Sequence, residues 1–326
     1  MKINKFALAA TAFLALTTAC TSSHDTVDNT VVEQTEQKDI PPIDEKARAL
    51  YDKCNNLNDS VACFNLGYAY SHGNGVRHDY SMSATYYEKA CSLGVNVGCY
   101  NLGVLYNKGQ GVRQDYQLAN HYYQKACDMN DSSGCNNLGS LYRHGKGVKQ
   151  DYNLATHYYQ KACELNNSFG CFNLGNSYYV GEGVKKDFKQ ANKYYLQACD
   201  MNNSTACFNL GVSYHKGQGV KQDYHQANQY FKKACELGDS GGCNSLGFSY
   251  DKGHGARQDF QQAMNYYQKA CDLKNGMGCS NIGALYYNGE GVKQNKNTSK
   301  WYYGKACDFG YQEGCDEYRK LNEKGY

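Results

Sequence analysis

The chain has 326 residues, and its 34 Lys+Arg against 31 Asp+Glu give a formal net charge of +3. That balance lacks the basic cluster or helix-borne stripe of a nucleic-acid binder, so no nucleic-acid partner is expected. Cysteine and tyrosine are the excess residues, 17 and 32 of them, and regularly spaced cysteines in such number point to an oxidising compartment.

At the N-terminus, Lys2 and Lys5 precede the apolar run Phe6 to Leu16, which is too short to span a bilayer and reads as an export signal over residues 1–20. The segment Thr17-Thr18-Ala19-Cys20 resembles the lipobox of bacterial lipoproteins, although Thr17 stands where Leu or Val is usual and Leu16 lies one step further back. Cleavage after Ala19 at a Thr-x-Ala site is the other reading. Parity favours a lipid anchor at Cys20, because every later cysteine has a partner eight or nine residues away. The lipobox resemblance, with Thr21 following, implies an outer-membrane or periplasmic lipoprotein, with simple secretion as the alternative. Residues 21–43 are polar, free of aromatic side chains and contain both prolines, Pro41 and Pro42. That composition cannot build a core and reads as a flexible acidic tether.

From residue 44 onward a period of 36 governs the chain. One cysteine ladder is Cys63, Cys99, Cys135, Cys171, Cys207, Cys243, Cys279 and Cys315; the other is Cys91, Cys127, Cys163, Cys199, Cys235, Cys271 and Cys307, preceded by Cys54 one residue out of register. A period of about 20 to 50 residues signals stacked units that bury their apolar faces only against neighbours. One elongated solenoid, 44–326, therefore replaces the two ordinary domains that length alone suggests. Its repeats fall at about 61–96, 97–132, 133–168, 169–204, 205–240, 241–276 and 277–312, with half-repeat caps at 44–60 and 313–326.

Each repeat predicts two helices. In the third, Leu138, Leu141 and Tyr142 recur at helical spacing with Gly139 between them, and Gly145 and Gly147 end this helix A. Asp151 is the expected N-cap of helix B, which runs to about Leu165 with Ala155, Tyr158, Tyr159 and Ala162 as its buried stripe. Glycine inside helix A costs ~1 kcal/mol against alanine. Its return as Gly67, Gly103, Gly139, Gly175, Gly211, Gly247 and Gly283 therefore argues for close helix packing.

The motifs G-x-G-V-x-x-D, A-x-x-Y-Y-x-K-A-C and G-C-x-N-L-G resemble Sel1-like repeats, and the paired cysteines in each unit resemble the Helicobacter cysteine-rich protein family. The resemblance covers residues 44–326. It implies an all-α fold, a right-handed αα-superhelix related to tetratricopeptide arrays. Ala256 for the loop valine, Ser245 for Asn and Asn295 for the last capping Asp depart from the pattern without touching the fold.

Two pairings use the same cysteine ladders. Joining helix A to its own helix B, Cys63 with Cys91 for example, strands Cys54 and Cys315. Joining each helix B to the next helix A leaves no thiol over: Cys54–Cys63, Cys91–Cys99, Cys127–Cys135, Cys163–Cys171, Cys199–Cys207, Cys235–Cys243, Cys271–Cys279 and Cys307–Cys315. The C-x7-C spacing is not that of a zinc site, so neither metal nor cofactor is expected.

Candidate chemistry is sparse. The pairs Tyr86-Tyr87, Tyr122-Tyr123, Tyr158-Tyr159, Tyr194-Tyr195, Tyr266-Tyr267 and Tyr302-Tyr303 fall on the packing stripe and read as core. His72, His144 and His215 read as solvated residues near the inter-helix loop. Asn65, Asn101, Asn137, Asn173, Asn209 and Asn281 each follow the first cysteine of helix A by two residues. In related arrays helix A lines the concave face, where an amide clamps an extended peptide, or else bonds the neighbouring helix. The cysteine-rich family also carries an association with penicillin binding and β-lactamase activity. Ser213-Tyr214-His215-Lys216 and Ser249-Tyr250-Asp251-Lys252 match S-x-x-K, yet no S-D-N or K-T-G accompanies them and the same place is Leu105-Tyr106-Asn107-Lys108 elsewhere. The expectation is a monomeric scaffold that binds a peptide, protein or cell-wall fragment; β-lactam binding or hydrolysis is the alternative, with no identifiable catalytic residue.

Overall fold

The computed structural model describes residues 44–326. The expected signal 1–20, the anchor residue Cys20 and the tether 21–43 lie outside the described residues. Among those described, all regular structure is helical: α1 (Glu45–Leu57), α2 (Ser60–His72), α3 (Tyr80–Ser92), α4 (Asn96–Lys108), α5 (Tyr116–Asp128), α6 (Ser132–His144), α7 (Tyr152–Glu164) and α8 (Ser168–Val180). The second half continues with α9 (Phe188–Asp200), α10 (Ser204–Lys216), α11 (Tyr224–Glu236), α12 (Ser240–Lys252), α13 (Phe260–Asp272), α14 (Gly276–Asn288), α15 (Lys296–Asp308) and α16 (Gln312–Glu323). Even-numbered helices are the A helices and odd-numbered ones the B helices.

Local chemistry sets the boundaries. The Asp151 carboxylate accepts from the backbone amides of Asn153 and Leu154 to start α7, and Asn295, the amide substitute at the same place, accepts from Thr298 to start α15. Gly145 ends α6 in the left-handed region at φ 64° and donates its N–H to the Leu141 carbonyl. Gly147 answers a different need, since a Cβ there would stand 2.4 Å from the Tyr116 carbonyl carbon. Gln150 closes the loop by donating to the Arg143 carbonyl at 2.8 Å and the Tyr152 hydroxyl at 3.0 Å.

Packing follows from the helical glycines. A Cβ at Gly139 would lie 2.8 Å from the Tyr159 ring, so only glycine lets α6 and α7 close on that aromatic plate. Leu138, Tyr159 and Ala162 are fully buried around it. The two members of each tyrosine pair part company. The second, as in Tyr123, Tyr159, Tyr195 and Tyr267, is core, whereas apart from Tyr86 the first is only half-buried. Tyr158 shows why: its ring stacks on Tyr142 at 5.6 Å while its hydroxyl donates to Gln124 of the preceding B helix at 2.7 Å. A stripe at helical spacing brings both tyrosines to the packed side, and the seam between B helices keeps one hydroxyl at its edge.

Disulfides close every B-to-A junction, Cys54–Cys63, Cys91–Cys99, Cys127–Cys135, Cys163–Cys171, Cys199–Cys207, Cys235–Cys243, Cys271–Cys279 and Cys307–Cys315, with Cα atoms 4.5–4.7 Å apart. Successive A helices approach one another directly at α6/α8, α12/α14 and α14/α16, which no pair of successive B helices matches. In a two-layer stack the layer with the closer neighbours lies inside the curve. The A helices therefore line the inner face.

Candidate inner-face groove

The inner face is furrowed between successive A helices. Between α8 and α10, Asn176, Tyr179, Asn209, Val212 and Ser213 surround a cavity of about 160 Å³ floored by Tyr195. Between α10 and α12, Val212, His215, Lys216, Asn244, Ser245 and Phe248 enclose about 230 Å³ over the ring of Phe231. Val212 belongs to both, so the two form one groove about a shared apolar crest. A similar furrow of about 200 Å³, with Tyr68, Ser71, Tyr87, Asn101 and Val104, lies between α2 and α4. The floor is the same device each time: the buried ring of a B helix seen through the gap that glycine leaves in helix A. Floor hydroxyls are held, as where Tyr195 donates to Asn176 at 2.7 Å, and burial raises the Tyr195 phenol well above its ordinary value.

The six asparagines do not form one row of free amides. Asn173 donates to Asn136 at 2.8 Å and Asn281 to Asn244 at 2.9 Å, each reaching the A helix of the preceding repeat. Asn137 accepts from Asn136 at 3.3 Å and also meets the Tyr123 hydroxyl. Asn101 and Asn209 lie beside the floor rings of Tyr87 and Tyr195 and line their furrows; Asn65 on α2 is exposed. The structure thus brings Asn101 and Asn209 to grooves and engages Asn137, Asn173 and Asn281 in bonds within the array.

His215 departs from the sequence expectation. It stands one residue before the place occupied by His72, His144 and Lys216, and it is half-buried in the groove where His72 and Lys216 are exposed at the edges of theirs. Burial, with His254 and Lys216 nearby, lowers its pKa below the usual imidazole value. Its partner reveals a second ladder, residue i of one helix A against residue i+39 in the next loop. Arg143 pairs with Glu182 at 2.9 Å, Tyr179 reaches Gln218 at 3.5 Å, and His215 faces His254 with ring centroids 6.0 Å apart. Tyr224 stacks on His254 at 4.9 Å, and the Nδ1 atoms of both histidines are buried without a partner.

The two S-x-x-K serines are placed differently, Ser213 in the lining of the α8/α10 cavity and Ser249 within its own helix. Ser213 and Ser249 are 2% and 1% exposed, and the Ser249 hydroxyl donates to the Ser245 carbonyl of its own helix at 3.1 Å. Lys216 and Lys252 point to solvent, Lys252 pairing with Asp251 at 3.1 Å. No helix among the described residues is long and apolar enough to cross a membrane, and eight disulfides fit an oxidising extracellular or periplasmic environment.

Fold and groove together define a disulfide-bridged αα-repeat scaffold. The Sel1 repeat family matches seven consecutive segments, 60–95, 97–131, 132–167, 168–203, 204–239, 240–275 and 276–311, and the chain belongs to that family, in its cysteine-rich form. Among solved structures it is similar to c5321 of uropathogenic Escherichia coli, a protective antigen displaying an SLR fold, with 28% identity over 86% of this chain and a TM-score of 0.80. The chain spans 60% of the length of that protein. A Sel1 repeat protein of Oxalobacter formigenes shares 26% identity over 75% of this chain and 96% of its own, with a TM-score of 0.65. Cysteine-rich protein B of Helicobacter pylori shares 40% identity over 41% of this chain and 97% of its own, with a TM-score of 0.34. Among curated proteins, none matches the chain.

Proposed function

We propose that this protein is an exported, monomeric scaffold, tethered through Cys20, that holds an extended peptide segment of a partner along its inner face, centred on α8, α10 and α12. The observation that carries the reading is the continuous groove about Val212, with aromatic floors and amide and hydroxyl groups at its rim. Apolar walls with a few fixed polar groups are what a side-chain pocket needs, and floors one helix spacing apart, about 8–10 Å, take side chains two or three residues apart in an extended chain. Disulfides at each junction hold the groove before the ligand arrives, which reduces the ordering cost of binding. β-Lactam hydrolysis gains no such support, because the S-x-x-K lysines do not serve the serines: Lys216 is exposed, Lys252 pairs with Asp251, and the Ser249 hydroxyl is engaged by its own helix.

The test is selection of random dodecamer peptides on the oxidised protein, each isolate then measured against the Val212→Asp variant. A charge at the shared crest is expected to weaken the selected peptides by at least about tenfold. Peptides that bind Val212→Asp and native protein equally would contradict the reading.

A further inference from the structure

At the last B helix three departures from the repeat converge on one cleft. Position 301 holds Thr85, His121, His157, Lys193, Gln229 and Asn265 in the earlier repeats and here the chain's single tryptophan, 56% exposed. Position 304 is Glu88, Gln124, Gln160, Leu196, Lys232 or Gln268 elsewhere and here Gly304. Position 318 is a buried Leu or Ile in all seven repeats and here Tyr318, 40% exposed. Together with Lys305, Cys307 and Asp308, these three residues enclose about 340 Å³.

Packing links two of the three, since a Cβ at Gly304 would stand 3.3 Å from the Tyr318 ring, but neither packing nor array growth explains the exposed Trp301. Glu88, Gln124 and Gln268 accept the hydroxyl of the next B-helix tyrosine, so position 304 faces the place where a further B helix would lie. Gly304 has no such acceptor, and Arg319 stands on α16 where every earlier helix A has the glycine that admits an aromatic ring. A B helix therefore cannot pack here in the manner of the repeat. Small in place of long at 304 opens a floor, and large aromatic in place of small or apolar at 301 and 318 raises two walls.

We propose that this cleft binds a saccharide, one pyranose ring stacking its C–H face on Trp301 over the Gly304 backbone. An indole presents a flat polarisable face that takes the apolar side of a sugar, while Lys305 and Asp308 supply a donor and an acceptor for its hydroxyls. The Lys305 ammonium lies 4.7 Å from the indole centroid, on a flexible stem that a ring stacking there displaces toward its own oxygens. An apolar protein helix fits less well, since Lys305 and Asp308 in the lining of the cleft would lose water without gaining partners. The site lies on α15 and α16 and stands independently of the inner-face groove.

Because Trp301 is the only tryptophan, its fluorescence reports the site alone. The oxidised protein is titrated with chitotetraose and with maltotetraose, beside Gly304→Gln, which restores the repeat residue at a half-buried position of α15, favours helix and asks the exposed Tyr318 ring, 3.3 Å from the new Cβ, for only a small shift. At least one sugar is expected to shift Trp301 emission with half-saturation at about 0.1–1 mM, weakened at least about tenfold in Gly304→Gln at unchanged helicity and Tm. Val212→Asp, in the groove, is expected to leave this titration unaltered, which separates failure here from failure of the peptide reading. A response to neither sugar, or an equal response in Gly304→Gln, overturns the proposal.

Discussion

Adding one methyl group at Gly175 tests the packing argument most sharply. An alanine Cβ there would lie 2.7 and 2.8 Å from Cδ1 and Cε1 of Tyr195 and 3.2 Å from the Ala191 carbonyl oxygen. Carbon atoms pack best at about 3.5–4.0 Å, so the ring or the helix must move by most of an ångström. The ring has little freedom, being 1% exposed with its hydroxyl held by Asn176 at 2.7 Å. Overpacking of this kind costs about 1–3 kcal/mol, while alanine gains ~1 kcal/mol of helix propensity over glycine. Two contacts under 3 Å put this case in the upper half of that range, about 2–3 kcal/mol, so the expected net loss is about 1–2 kcal/mol. Denaturant unfolding of the oxidised protein, followed by far-ultraviolet circular dichroism, should show a lower midpoint for Gly175→Ala at unchanged slope. Tyr195→Leu alone is destabilising, but adding Gly175→Ala to it should cost less than in the native background. A Gly175→Ala protein as stable as the native one would refute the claim that these glycines exist to admit the tyrosine plates.

Four further outcomes are expected. Replacing Cys199 and Cys207 by alanine should lower stability by about 2.5 kcal/mol on the chain-entropy account of so short a loop, read as a lower denaturation midpoint. Asp131→Ala removes the carboxylate that accepts the Gly134 amide at 2.7 Å and should cost about 1 kcal/mol, read the same way. Burial, with Arg143 and Ser140 opposing it, pushes the Tyr159 phenol up to about 12 from 10.0. The neutral phenol therefore favours the folded state below pH 10, and that stability is lost as pH rises through about 12, so Tyr159→Phe should lose less stability than native protein between about pH 10 and 12. His215 acts with the opposite sign: its pKa is lowered from 6.5, so its contribution is present above 6.5 and lost as pH falls through the folded value. His215→Gln should therefore flatten the acid side of the stability profile, and an unchanged profile would remove His215 from that role.

The architecture was legible because each boundary demands a residue type. A left-handed turn asks for Gly145, an N-cap for Asp151, and a junction bridge for two cysteines eight residues apart; 36-residue recurrence then separates such demands from accident. Less was legible where the structure is made between repeats. Helical spacing put Tyr158 and Tyr159 on one stripe, and only the B-helix seam, with Gln124 across it, distinguishes them. The groove arises between α10 and α12, which are not consecutive, and its crest position reads Tyr68, Val104, Ser140, Asn176, Val212, Phe248 and Ala284. A position that varies while its surroundings repeat carries little fold signal. The same logic separates the asparagines: the repeat supplies Asn173 and Asn209 alike, but Asn136 stands within reach of Asn173 and engages it.

The central claim, that an extended peptide lies along the inner face, is tested most directly by hydrogen exchange of the oxidised protein with and without a peptide selected on it. The account expects slowed exchange concentrated in α8, α10 and α12, with α9, α11 and α13 unchanged. Protection on α9, α11 and α13 with none on the A helices would place the ligand on the outer layer and contradict it.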